Sequence, residues 1–200
     1  MHIVSVFENV PVQLSTNLDG SVRRYRFKGV IPRKKGYAEL QGPIDWLEKA
    51  GLILKVKVCK KAQIPLESFC SNNMFKLFLF DVGLLGCMLE LPVNLIYSQD
   101  YGTPKGYFAE NFVAQEFTAS GLSKLYSWTQ GTSEIEFLRV IDEVLVPVEV
   151  KSGTRTQAKS LRQYMLKYSP QRAVKISAKP LNRQKGKVLQ NYPLYLAAKL

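Results

Sequence analysis

Apolar positions recur at helical spacing in the segment HIVSVFENVPVQLS, with Ile3, Phe7 and Val10 along one face. Pro11 interrupts that pattern or marks its last turn. Residues 15–36 are polar, glycine-punctuated and basic, which predicts a loop with at most a short strand. YAELQGPIDWLEKAG predicts a helix, with Leu40, Ile44 and Leu47 on one face and Gly51 as its stop. LILKVKV alternates cleanly: Leu54, Val56 and Val58 face one way, Lys55 and Lys57 the other, as in a half-exposed strand. MFKLFLF predicts a second strand, leading to Asp81 as N-cap of DVGLLGCMLE.

Helix, helix and two-stranded ribbon are the layout of a small winged-helix unit, expected over residues 1–90. Residues 91–106, with two prolines and two glycines, are the expected connection. YFAENFVAQEFTASG then predicts a helix ended by Gly121. EIEFLRV and VLVPVEV predict strands joined by a tight turn at Asp142-Glu143. SGT opens a helix over QAKSLRQYMLKY, with Leu161, Met165 and Tyr168 on one face and Pro170 as its end. AVKIS reads as a strand and YPLYLAAKL as a short terminal element. Residues 107–200 are therefore expected to form an α-β-β-α-β unit of α+β or α/β class.

Two hundred residues suffice for one ordinary domain or two small ones, and 46% hydrophobic with 22% charged residues is a globular balance. Neither a membrane span nor a signal peptide is expected from the apolar runs. Three cysteines without CxxC spacing (Cys59, Cys70 and Cys87) argue against a disulfide framework or zinc knuckle and fit a reducing cytoplasm. The single histidine, His2, argues against a Ser-His-Asp triad or a histidine-rich metal site. The net charge of +12 is uneven: after Glu149 there is no acidic residue but 12 Lys and Arg. A folded block of one sign points to a polyanionic partner, DNA first, with a solvated basic face as the alternative. Arg155, Lys159, Arg162, Lys185 and Lys187 are the candidate phosphate contacts.

If Asp142-Glu143 is a two-residue turn, residues facing one another across the hairpin have numbers summing to 285, and Glu136 and Glu149 satisfy this. Their Cβ atoms are then about 5 Å apart on one face. Lys151 points to the same face. Paired carboxylates need a divalent cation, a shared proton or a lysine beside them. Mg²⁺ suits a site of two or three carboxylates, because it keeps several waters. It acidifies a bound water, and Lys151 would steady the hydroxide or the phosphate charge. A surface hairpin with an ordinary Glu–Lys salt bridge has the same spacing. On the preceding helix Glu110 shares the apolar side of Val113 and Phe117. It is either a third carboxylate over the pair, or a residue held by a buried salt bridge or by a backbone N–H at a strand end.

Glu110 on a helix, Glu136, and Glu149-Val150-Lys151 on a hairpin resemble the PD-(D/E)XK nuclease superfamily, whose core runs α-β-β-β-α-β. More closely, YAELQGPIDWLEKAGLI, FKLFLFDVGLL, GYFAENFVAQEF, EIEFL and VPVEVKSG are, in that order, similar to the C-terminal half of a family of prokaryotic AAA+ ATPase-like proteins. That half is a winged helix followed by a nuclease-like domain of undefined function. The resemblance implies a restriction-endonuclease-like core with a central mixed sheet, with Glu149 and Lys151 at the (D/E)XK pair. Glu136 stands where the superfamily usually has Asp, and Glu110 at the helical acid. Glu110, Glu136 and Glu149 would be the Mg²⁺ ligands and, with Lys151, the catalytic set. Family members carry an ATPase domain ahead of the winged helix, but no G-x-x-x-x-G-K-[ST] occurs in these residues, so no ATP site is expected in them. The functions to weigh are a metal-dependent phosphodiesterase on DNA, a non-catalytic DNA-binding module, and a regulatory domain docking to an ATPase domain or partner.

Overall fold

The computed structural model describes residues 2–16, 23–97, 105–153, 158–182 and 186–200. It divides into two compact units, one of residues 1–55 and 75–115, the other of residues 56–74 and 116–200. Among the described residues, seven strands form one mixed sheet in the order β2-β1-β3-β4-β5-β6-β7.

In the first unit, helix α1 (His2–Ser15) buries Val6, Val10 and Leu14, and runs through Pro11 into its last turn. Helix α2 (Tyr37–Lys49) buries Leu40, Ile44 and Leu47, the face expected from spacing. Its start is locked by Glu39, whose carboxylate accepts hydrogen bonds from the Lys35 and Gly36 amides at 2.7 and 3.0 Å. Gly51, at φ +71°, takes the left-handed turn that ends it. Strands β1 (Ile53–Cys59) and β2 (Cys70–Leu79) are adjacent in the sheet, and helix α3 (Val82–Met88) begins on the Asp81 side chain. Within the expected connection, Val93–Tyr97 forms the short helix α4, while residues 98–104 lie outside the described residues. Helix α5 (Lys105–Ala119) is anchored by Asn111, whose buried amide donates to the Leu79 carbonyl and accepts from the Leu79 amide at 2.9 and 3.0 Å.

The ribbon is not a sheet of its own. Val56–Cys59 of β1 pair in parallel with Leu125–Trp128 of β3 (Leu125–Gln130), inside the second unit. Strand β3 is absent from the sequence reading. Ser127 and Trp128 are both buried, so its polar and apolar positions do not alternate. Strands β4 (Ser133–Ile141) and β5 (Val144–Val150) follow, then α6 (Lys159–Tyr168), β6 (Ala173–Ser177) and β7 (Leu189–Pro193). Strand β5 pairs antiparallel with β4 and parallel with β6. Leu161 and Tyr164 of α6 pack with Trp128, Ile135, Leu138 and Ala173 on one face of this sheet. On the other, Phe117 meets Phe137 edge to face with ring centroids 5.3 Å apart.

One expectation from the cysteine count is corrected: Cys59 and Cys70 are joined in a disulfide. They end β1 and begin β2, and their Cα atoms lie 4.3 Å apart, the spacing of directly facing residues in a ribbon. Cys87 is free and exposed. No helix among the described residues is long and apolar enough to cross a membrane.

Candidate functional site

The β4–β5 hairpin has the register expected of it. Phe137 faces Val148, Arg139 faces Val146, and Ile141 faces Val144. The turn residues Asp142 and Glu143 have φ of +49° and +66°, the twin left-handed conformation of a two-residue type I′ hairpin. Pro147, unable to donate, stands opposite Leu138 between these positions and before the β5–β6 ladder begins at Val148.

Two irregularities then build the site. Tyr126 of β3 pairs with Leu138 but Trp128 with Ile135, so Glu136 and Phe137 together oppose the single residue Ser127. Such a bulge re-aims the side chain it carries. The β4–β5 ladder also stops at Phe137–Val148, and the Val150 amide donates to the Glu136 carboxylate at 3.2 Å. Glu136 is thus held beside Glu149. Lys151 Nζ lies 2.7 Å from Glu149 Oε1 and 3.6 Å from Glu136 Oε1. The backbone of Lys151 is fixed by its amide donating to the Ile176 carbonyl at 2.8 Å.

Glu149 is only 2% exposed, and its Oε2 has no hydrogen-bond donor among the described residues. Burial, and then the Glu136 carboxylate, push the Glu149 carboxyl up to about 8, against the pull of Lys151. A neutral Glu149 shares its proton with Glu136; an ionised one needs a cation at Oε2.

Sequence reasoning did not single out Lys175. It is the β6 partner of Glu149, and Asn191 is its partner on β7. Glu149, Lys175 and Asn191 therefore form one row across three strands, with Glu136 held beside Glu149 at its end. Lys175 is buried, which lowers the pKa of its ammonium; Lys179 adds to the effect and Glu149 opposes it. A parallel pairing is set by the whole crossover and not by a local turn, so no short sequence signal places Lys175 beside Glu149.

Glu110 has the ion-pair role left open by its position. Its Oε2 lies 3.2 Å from Lys76 Nζ, and both residues are buried within the first unit. Among the described residues no group of three or more His, Cys, Asp or Glu side chains is gathered to hold a metal ion.

Of the basic candidates, Lys159 and Arg162 are exposed on the first turn of α6 and line a groove of about 790 Å³ with Leu161, Met165, Leu189 and Lys175. Lys187 lines an adjoining hollow with Asn182 and Asn191; Met165 and Leu189 border both. None of the described lining residues of either is acidic. Arg155 and Lys185 lie outside the described residues. A second basic group, Arg23, Arg24, Arg26 and Lys28, lines a small hollow against α1 in the first unit. There Gln13 grips the Arg26 backbone, donating to its carbonyl at 2.7 Å and accepting from its amide at 2.8 Å.

Residues 105–196 match the family model of a domain of unknown function, DUF4143. No curated protein matches the chain, and no solved structure does.

Proposed function

We propose that this chain binds DNA and that Glu136, Glu149 and Lys151 form a nuclease-type, Mg²⁺-dependent phosphodiesterase site. The observation that carries this is the position of the carboxylate pair. It ends a row that continues through Lys175 into a groove whose charged lining groups, among the described residues, are all cations. The element order α5-β3-β4-β5-α6-β6 supports it, being the α-β-β-β-α-β order of the nuclease superfamily that the motifs resemble. The helix–helix–ribbon element order that a winged helix would have, and the basic hollow of Arg23, Arg24, Arg26 and Lys28, support a second DNA contact. An ATPase of AAA+ type is the partner this reading implies.

The residues present fit a divalent cation. Glu149 Oε2 is buried without a donor and has the Glu136 carboxylate as neighbour. Glu136 and Glu149 would hold the ion; Glu110, engaged by Lys76, is left as a structural group. Bound Mg²⁺ supplies positive charge to a phosphate oxygen and acidifies a water. Lys151 balances the two carboxylates at rest, and its ammonium is placed to attract a phosphate. Lys159 and Arg162 orient the backbone by charge, since neither has an ion-pair partner among the described residues.

The test is DNA binding by fluorescence anisotropy across a salt series, beside a cleavage assay with and without Mg²⁺. Log affinity should fall linearly with log salt, and the Lys159→Ala/Arg162→Ala double variant should flatten the slope by about two. Cleavage should require Mg²⁺ and be lost in Lys151→Ala. Salt-dependent binding without cleavage would leave a DNA-binding module. Affinity that ignores salt would refute the nucleic-acid reading and leave a docking domain for the ATPase.

A further inference from the structure

The groove beside α6 is more than a basic surface. Phosphates alone are served by a flat array of cations, whereas this groove has an apolar floor of Leu161, Met165 and Leu189 beneath a cationic rim. Leu166, 78% exposed, extends that floor at the lip. The cavity lies within the range of about 300–1,000 Å³ that small-molecule sites occupy. A base-paired duplex keeps its base faces, apart from those of its two terminal pairs, stacked on one another and offers little to an apolar floor along its length. An unpaired base has two apolar faces and a polar edge.

A second observation points to that edge. Asn191 borders the adjoining hollow, and its Oδ1 is buried without a hydrogen-bond partner among the described residues. A buried acceptor without a donor is costly, and the exocyclic amino group or ring N–H of a base is such a donor.

We propose that this groove is a subsite for one unpaired nucleotide. Its base lies over Met165, Leu166 and Leu189 with its edge toward Asn191, and its phosphate meets Lys159, Arg162 and Lys175. This rests on the DNA-binding reading and gives that reading a substrate class: strands with an unpaired end or an extruded nucleotide. Lys175 then has a role of its own. As neighbour of Glu149, it joins the held phosphate to the carboxylate pair and sets which phosphodiester lies over it.

The experiment compares a blunt duplex with a duplex of equal paired length carrying a three-nucleotide overhang. Anisotropy is measured on the full chain without Mg²⁺. The overhang should bind about tenfold tighter, a stacking contribution typical of one base on a protein platform. Leu166→Ser removes apolar surface at an exposed position and changes no charge. It should reduce the overhang preference several-fold while leaving blunt-duplex affinity unchanged. Lys159→Ala/Arg162→Ala should weaken both DNAs together. Equal affinity for the two DNAs, or an overhang preference untouched by Leu166→Ser, overturns the subsite and leaves DNA binding standing. Binding of neither DNA overturns both.

Discussion

Replacing Glu149 by glutamine should make the protein more stable at alkaline pH, which is unusual for removing one half of a salt bridge. Glu149 is buried against a second carboxylate, and its carboxyl is raised from the ordinary 4.5 to about 8. In the unfolded chain the same group ionises near its ordinary value. Between those limits the folded state holds more protons than the unfolded one, so stability falls as pH rises through the window. At about 1.4 kcal/mol per pH unit, the full window corresponds to about 5 kcal/mol, an upper bound because the hairpin end can relax and admit water. Glutamine does not titrate, and its amide would donate to Glu136 where the carboxylate repels. Urea denaturation at pH 5, 7 and 8.5 checks this. Wild-type stability should drop by several kcal/mol across the series, Glu149→Gln should be nearly flat, and the two should cross. A Gln variant that keeps the wild-type pH slope, or a wild type whose stability climbs with pH, would refute the proton-sharing description. Lys175, its ammonium pKa lowered by burial, contributes in the opposite sense, its share of stability rising with pH.

Glu143 sits at φ +66° in the second position of a turn that favours glycine, and Glu143→Gly should raise stability by about 0.5–1 kcal/mol in the same denaturation assay. Lys76→Met removes the ammonium that pairs with buried Glu110 and should cost up to about 3–5 kcal/mol, whereas Lys76→Met/Glu110→Leu should recover most of that. A double variant no better than the single one would show that the pair is not a closed unit.

How much of this was legible in the chain depended on how local each determinant is. The hairpin register followed from one turn, because a two-residue turn fixes the facing pairs, and the pairs from Ile141–Val144 to Phe137–Val148 keep that sum; the bulge that sets Glu136 beyond the last pair had no such signal. The helices α2 and α6 were readable because Leu40, Ile44 and Leu47, and Leu161 with its neighbours, repeat at the helical period. Strand β3 was not, since Ser127 is buried next to Trp128 and breaks alternation. The non-local partners were also hidden. Lys76 lies 34 residues from Glu110, Cys59 meets Cys70 across a loop, and Lys175 reaches Glu149 only through a crossover helix. Spacing left the role of Glu110 open, and the lysine on β2 that pairs with it is invisible to any local pattern.

The closure at Asp142-Glu143 lies six residues along each strand from Glu136 and Glu149, about 20 Å from the chemistry it governs. Its composition is free to vary, as the expected gain from glycine shows, but its length is not. Inserting one residue there would move Glu149 and Lys151 by one step against β4 and break their alignment with Glu136, even with every functional side chain intact. In a collection of natural or engineered variants, single-residue insertions at this solvent-facing tip should therefore be as rare as substitutions of the carboxylates. Paired insertions, which restore the parity of the hairpin, should be tolerated.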